Sequence, residues 1–321
     1  MINFGIIGTG RIADRFADEI KHVNGTDAVI VCNPHITSAE DFAGRHGIEK
    51  YTDSFDELCH SDTISAIYIA APHKFHYEYA KKALLSGKHV LCEKPMCFKK
   101  SEAEELFDIA AERGLVLLEA LKTAYCPGYR EVIATADSGK IGRVVSVEAA
   151  FTRLTPTNGR EFTDTELGGS FTEFGTYGLL PVFDLLGFHY SDIEFKSLLA
   201  PNGVDSYTKA LLTYNDEKGR LMAEASVKTG LGVKSEGQLL ISGTKGYILV
   251  PSPWWLTRYF EVRFEDPNIV EKHTTDYEEA GLRYEIKEFR DIVNKEIPEE
   301  GRDRSIALAG VMEEFLWKCK G

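Results

Sequence analysis

The most restrictive feature of the chain stands within its first 13 residues. Gly8-Thr9-Gly10-Arg11-Ile12-Ala13 follows the apolar run Asn3 to Gly8 and opens a helix-like stretch, Ile12 to Val23. In isolation a G-x-G-x-x-A turn is a weak signal, but between a strand and a helix it has a mechanical reading. Gly8 permits the tight turn, Gly10 lets a pyrophosphate approach the backbone, and Ala13 keeps the helix close to the sheet. The helix N-terminus then offers unpaired N–H groups to phosphates. Gly8, Thr9, Gly10, Arg11 and Ile12 are thus the expected cofactor-binding turn for NAD or NADP.

The next hundred residues repeat the same alternation. Ala28 to Cys32, Ala66 to Ala70 and His89 to Cys92 read as short buried strands, with helices over Ser38 to His46, His76 to Ser86 and Ser101 to Arg113. Ser38 and Asp41 suggest an N-terminal cap, and Gly87 and Gly114 close their helices. Strands alternating with helices predict βαβ units and an α/β Rossmann domain with a doubly wound parallel sheet.

From Arg143 onward the pattern changes to longer strands with period-two alternation: Val144 to Thr152, Tyr207 to Tyr214, Leu221 to Val227, Gln238 to Ser242, Gly246 to Val250 and Tyr259 to Phe264. That predicts an α+β C-terminal domain built on a large, mainly antiparallel open sheet with one face covered. Two closing helices, Leu282 to Asn294 and Arg304 to Lys318, follow. The domain boundary falls near Ala120 to Pro127.

Ligand groups in a doubly wound sheet gather at the C-terminal ends of the strands. The second strand ends in Cys32-Asn33-Pro34-His35, which supplies neither the usual ribose-binding carboxylate nor an arginine for a 2′-phosphate. Asn33 either hydrogen-bonds a ribose hydroxyl or forms a plain turn with Pro34. The third strand ends at Ala71-Pro72-His73-Lys74-Phe75-His76, where His76 either approaches the cofactor or caps the next helix. Glu93-Lys94-Pro95 ends a further strand, which aims Lys94 at the crevice if it is not an ordinary surface lysine. An ammonium there would stabilise a developing alkoxide.

Composition narrows the partners. A formal net charge of −13 with no basic run excludes nucleic acid and anionic membrane surfaces as expected partners. No apolar segment approaches a membrane span, and the first residues lack a signal-peptide pattern. Six scattered cysteines without a paired C-x-x-C spacing suit reduced thiols, so a cytoplasmic protein without a metal site is expected. Trp254-Trp255-Leu256, between two prolines and a strand, reads as an exposed aromatic group at a substrate or subunit surface, or as ordinary core.

The glycine turn, Ala71-Pro72 with His76, and Ala83-Leu84-Leu85-Ser86-Gly87-Lys88-His89-Val90-Leu91-Cys92-Glu93-Lys94-Pro95 together resemble the Gfo/Idh/MocA oxidoreductases, the glucose-fructose oxidoreductase and inositol dehydrogenase family. The resemblance covers nearly the whole chain and is most specific at Glu93-Lys94-Pro95. It implies a catalytic role for Lys94 and cofactor contacts from Asn33, Ala71, Pro72, His76 and Glu93. Gly168-Gly169-Ser170-Phe171-Thr172-Glu173-Phe174-Gly175-Thr176-Tyr177 is similar to the family's glycine-rich active-site helix. Glu173 and Tyr177 are four apart and share a helical face. The resemblance puts Tyr177 on the proton-transfer position and Glu173 on its usual aspartate, and an ammonium beside a phenol favours phenolate.

The resemblance further implies a dinucleotide-binding Rossmann domain over residues 1–121 and a substrate-binding and oligomerisation domain over 122–321, in a homodimer or larger homo-oligomer. The implied reaction is NAD(P)-dependent hydride transfer with a polyol or carbonyl substrate of sugar, cyclitol or dihydrodiol type. The chain departs from the family pattern at Leu121 and Ala124, where Trp and Arg are common, and at Glu173, one methylene longer than aspartate. Those departures leave two alternatives open: a non-catalytic dinucleotide sensor, and a reductase of an imine or tetrapyrrole. Lys122, Tyr125, Arg153 and Arg160 lie on segments that border the expected substrate site or are simply solvated.

Overall fold

The computed structural model describes residues 1–320. The chain divides into two compact units, one of residues 1–122 with 279–310, the other of 123–278 with 311–321.

The first unit holds six strands: β1 (Ile2–Ile7), β2 (Thr26–Cys32), β3 (Lys50–Thr52), β4 (Ala66–Ile69), β5 (His89–Glu93) and β6 (Leu117–Ala120). They pair in parallel in the order β3-β2-β1-β4-β5-β6. The order reverses between β1 and β4, the switch point at which such sheets bind ligands. All residues of β4 and β6 are buried, as expected of strands covered on both faces. Helices α1 (Arg11–Glu19), α2 (Ile36–His46), α3 (Phe55–His60), α4 (His76–Leu85) and α5 (Lys100–Arg113) connect the strands. Helix α2 begins two residues earlier than the Ser38 cap predicts. Its N-cap is His35 without a side-chain bond, so Ser38 and Asp41 lie inside the helix.

One connection returns from far along the chain. Residues 279–310, which the sequence pattern groups with the second domain, cluster with the first. Leu282, Ile286, Phe289 and Ile292 repeat on one face of α9 (Leu282–Val293) and are buried. Phe289 lies 5.4 Å from Phe4 of β1, which packs edge-on against Phe16 of α1. Burying each such side chain stabilises the unit by about 1.5–3 kcal/mol, so this apolar stripe holds the segment there.

The second unit is organised by an eight-stranded sheet. Its strands are β7 (Val144–Thr152), β8 (Asp192–Leu199), β9 (Asp205–Asn215), β10 (Leu221–Gly230), β11 (Leu239–Gly243), β12 (Gly246–Val250), β13 (Tyr259–Phe264) and β14 (Val270–Thr274). The order is β14-β13-β12-β11-β7-β10-β9-β8, antiparallel except for the β7–β10 pair. The strands β8 and β14 were not expected from the sequence. They are the two edges, where alternation is weak because few side chains are buried. Helices α6 (Pro127–Asp137), α7 (Arg160–Thr163) and α8 (Ser170–Leu186) belong to this unit, and α10 (Arg302–Lys320) ends in it. Helix α8 is apolar almost all round and nearly wholly buried, packing on β7, β9 and β10. Among the described residues no helix is long and apolar enough to cross a membrane.

Candidate active site

The glycine turn leads from β1 into α1. Gly8 has φ +106°, and a Cβ there would lie 2.4 Å from the carbonyl oxygen of Ala70, so only glycine fits. A Cβ on Gly10 would meet no protein atom within 4 Å. Helix α1 has no side-chain cap on that residue, which leaves its first-turn amides as donors to an anion. An open backbone face over a helix N-terminus fits a dinucleotide pyrophosphate. Thr9 Oγ1 accepts from Asn33 Nδ2 at 2.8 Å, and Asn33 Oδ1 accepts from the His35 backbone amide at 2.9 Å. Asn33 therefore braces the turn and shapes the end of β2.

The β4 end is tied to the β5 end by one side chain. His76 is 1% exposed, and its two ring nitrogens face the carbonyl oxygens of Ala71 and Pro95, each at 2.8 Å. A neutral imidazole donates to one of them at a time. The expected capping role is absent, because the cap of α4 is Phe75 without a side-chain bond. His76 instead fixes the loop carrying Ala71 and Pro72 against the residue after Lys94.

Lys94 follows β5 and is partly exposed, and its bond to Pro95 is cis. Beneath it the surroundings are acidic and dry. The Glu93 carboxylate is buried and accepts from the Tyr68 hydroxyl at 2.6 Å. Burial pushes the Glu93 carboxyl up, against the opposing pull of Lys94, the Tyr68 hydrogen bond and Lys122. Glu119, at the end of β6, accepts from the Met96 amide at 2.9 Å and so anchors the chain just past Pro95. Its carboxyl is raised by burial too.

In the second unit Glu173 and Tyr177 occupy successive turns of α8. Tyr177 lies 5.2 Å from the ring of Phe151, which stacks on Phe174 at 4.3 Å and on Trp255 at 3.7 Å. Val204, Leu231 and Phe162 complete this apolar cluster. Glu173 accepts from Arg160 at 2.6 Å, which places a guanidinium one turn from Tyr177. Trp254 and Trp255 separate in role. Trp254 is fully buried and donates to the Ala150 carbonyl at 3.0 Å, so it is core rather than exposed, while Trp255 joins the aromatic stack. Of the other basic and aromatic candidates, Lys122 donates to the Ala280 carbonyl at 2.5 Å, Tyr125 is buried, and Arg153 is exposed.

The start of α8 is pinned by a residue that sequence reasoning missed. Asp205, 1% exposed at the head of β9, accepts from Ser170 Oγ at 2.7 Å, the Phe171 amide at 2.9 Å and Thr208 Oγ1 at 2.8 Å. Gly169 has φ +119°, and a Cβ there would lie 1.9 Å from Asp205 Oδ1. The carboxylate thus takes the place of an N-cap side chain at the positive end of the helix. The available signal was a lone aspartate opening an apolar strand, which by itself names no partner.

Residues 2–121 match the sequence model of the Gfo/Idh/MocA oxidoreductase family, described as an oxidoreductase family with an NAD-binding Rossmann fold. The chain is 29% identical to the scyllo-inositol 2-dehydrogenase (NADP(+)) IolU of Bacillus subtilis (strain 168), over 98% of this chain and 96% of that protein. The family match thus falls on the first unit and the relative spans nearly the whole chain. The trans-1,2-dihydrobenzene-1,2-diol dehydrogenase of Xenopus laevis is 28% identical, with 98% of this chain and 96% of that protein covered. A crystal structure of KijD10, a 3-ketoreductase from Actinomadura kijaniata in complex with NADP and TDP-benzene, superposes with a TM-score of 0.83 over 99% of this chain and 97% of that one. At 23% identity that likeness shows a shared fold.

The chain is an oxidoreductase using NAD or NADP, and the NAD-binding Rossmann match lies in its first unit. Two further residues bear on the chemistry without having been singled out in the sequence. Tyr68 holds Glu93 from mid-strand, and Phe151 carries the ring on which three aromatic side chains converge. Each reads as an ordinary strand residue until the partner element is in place.

Proposed function

We propose that this oxidoreductase transfers a hydride reversibly between its nicotinamide cofactor and a hydroxyl-bearing carbon of a sugar, cyclitol or dihydrodiol-like substrate. The observation that carries the reading is the setting of Tyr177. A phenol on a buried helix, beside the Phe151, Phe174 and Trp255 rings and one turn from the Arg160–Glu173 pair, offers a proton next to a flat apolar wall. Such a wall suits the ring faces of carbocycles and sugars, and the guanidinium suits their hydroxyls. IolU and the dihydrodiol dehydrogenase, named for substrates of this kind, support the same class.

The nicotinamide supplies or accepts the hydride. In this reading Lys94 holds the oxyanion by its ammonium and Tyr177 moves the hydroxyl proton. Glu173 keeps Arg160 in place. Gly8, Gly10 and the α1 N-terminus bind the pyrophosphate, with Thr9, Arg11 and Ile12 on the same turn and Ala71, Pro72, His76 and Glu93 shaping the nicotinamide end. Asn33 meets the adenosine ribose, and the lack of a carboxylate beside it leaves room for a 2′-phosphate, which supports use of NADP. The protein works in the cytoplasm as a homodimer or larger homo-oligomer, with the open face of the eight-stranded sheet as its contact surface.

The test is a panel of cyclitols, sugars and aromatic dihydrodiols assayed with NAD and NADP, run beside Lys94→Ala and Tyr177→Phe. Turnover of at least one member that collapses in both variants is the expected result. Turnover that survives both substitutions sinks the assignment.

A further inference from the structure

The eight-stranded sheet has two unlike faces. On one, Thr208, Ala210 and Leu212 of β9 and Ala225, Val227 and Thr229 of β10 are buried. Helix α8 packs on that side so closely that a Cβ on Gly178 would come within 2.3 Å of Val227. The residues between them point the other way, because successive side chains of a strand alternate. There Leu211 is 38% exposed, and Lys209, Ser226 and Lys228 are half-buried.

Strand register gathers charge on this outer face. Lys228 stands directly opposite Lys209 across the β9–β10 pair, and Ser226 is opposite both Leu211 of β9 and Glu148 of β7. Like charges directly opposite each other destabilise a sheet. Lys209, Ser226 and Lys228, with Glu148, Glu236 and Gln238, line a cavity of about 100 Å³. Two ammonium and two carboxylate groups thus share one cavity. Yet none of these four side chains forms a hydrogen bond or an ion pair among the described residues.

Opposite charges that balance in number but miss each other within one molecule are matched when the face meets a copy of itself. A two-fold contact sets each residue of a patch against a different residue of the same patch, and symmetry supplies the reverse contact. Two copies carrying −13 each repel in general, whereas this face offers lysines and glutamates in equal number. Apolar side chains lie beside the charges. Leu240 is in register with Glu148 and with Leu249, and both leucines are half-buried.

We propose that this face binds a second copy of the chain about a two-fold axis, with Lys209 and Lys228 set against Glu148 and Glu236 of the partner subunit. Leu211, Leu240 and Leu249 supply the apolar part of the contact. The inference rests on the reading that the chain is a homo-oligomer joined through this sheet, and it names the pairing that fixes the register of the two copies. Charges desolvated together across the axis make the contact costly to break and sensitive to salt.

Sedimentation of the full-length protein over a concentration series tests this. One variant carries Lys209→Glu and Lys228→Glu, the other Glu148→Lys and Glu236→Lys. Each alone is expected to weaken self-association about 100-fold or more, since every cross-axis pair becomes a like-charge pair. An equimolar mixture is expected to associate as the wild type does, because each reversed patch then faces its complement. The recovery also shows that both variants are folded. If each variant associates as tightly as the wild type, or if the mixture stays dissociated, the pairing is overturned while a homo-oligomer still stands. A wild type that is monomeric throughout overturns both. Should the variants fail to fold, the wild type decides by itself. Its dissociation constant should rise with salt, and a salt-independent constant overturns the inference.

Discussion

Around Lys94 the buried neighbours are polar, whereas around Tyr177 they are aromatic. Lys94 sits where a strand ends, and its turn is held by His76 on two backbone carbonyls and by Glu119 on the Met96 amide. Tyr177 sits seven residues into a buried helix whose start is fixed by Asp205 from a separate strand. The first arrangement is a set of short local ties that tune charge. The second fixes position by packing, with a single remote carboxylate setting the register of α8. Electrostatic changes should therefore be felt most at the Lys94 end and steric or capping changes most at the Tyr177 end.

The sharpest way to break that contrast is to remove both of the proposed reacting groups. Tyr177→Phe and Lys94→Ala should each lower kcat by roughly 10²- to 10⁴-fold. Steady-state kinetics of the double variant should show far less than the product of the two losses if, as proposed, the groups act in one step. Full multiplicativity would mean that they serve separate events. Next in size is Asp205→Ala, which strips two donors at the head of α8, and Thr208 of β9, of their acceptor. Its expected cost is about 3 kcal/mol or more in chemical denaturation, with Asp205→Asn recovering part of it. If Asp205→Ala leaves stability unchanged, α8 is held by packing alone.

Gly8→Ala tests the corresponding steric demand at the Rossmann end. Its φ of +106° and the 2.4 Å approach to the Ala70 oxygen predict a loss of about 1–3 kcal/mol together with weaker cofactor binding, read by cofactor fluorescence titration. A smaller effect is expected of Asn33→Asp, in which a carboxylate replaces an amide at the end of β2. NADP should bind about tenfold more weakly while NAD holds its affinity, and an unchanged ratio would show that the 2′ position lies elsewhere.

The smallest effect concerns pH. Folding raises the Glu285 carboxyl above the ordinary glutamate value of 4.5, so the folded state holds a proton that the unfolded chain releases. The stability this contributes is fully present below that value and is lost as pH rises toward the folded one. Glu285→Gln has no proton to lose. Its Tm relative to wild type should therefore improve steadily as pH rises above 4.5, and a constant gap would show that the acid titrates alike in both states.

Much of the Rossmann unit was legible because its signals are local. A glycine turn between strand and helix, and apolar runs alternating with helical stretches, each act within about ten residues. The edge strands β8 and β14 escaped because half-exposed strands carry little alternation, and Trp254 reads as exposed beside prolines although it is core. Asn33 was open between two roles, and the bonds to Thr9 and His35 show how one amide shapes the turn from both ends.

By itself, then, the sequence determined the cofactor turn, the identity of Lys94 at a strand end, and the four-residue spacing of Glu173 and Tyr177 on one helical face. These follow from backbone sterics and helical period, which are written in neighbouring residues. The tertiary structure alone decided that residues 279–310 rejoin the first unit, that Asp205 caps α8, and that Glu285 Oε2 is buried without a hydrogen-bond partner. Those outcomes depend on contacts between residues from tens to hundreds of positions apart, where burial and the choice of partner belong to the packed molecule and not to any short stretch of chain.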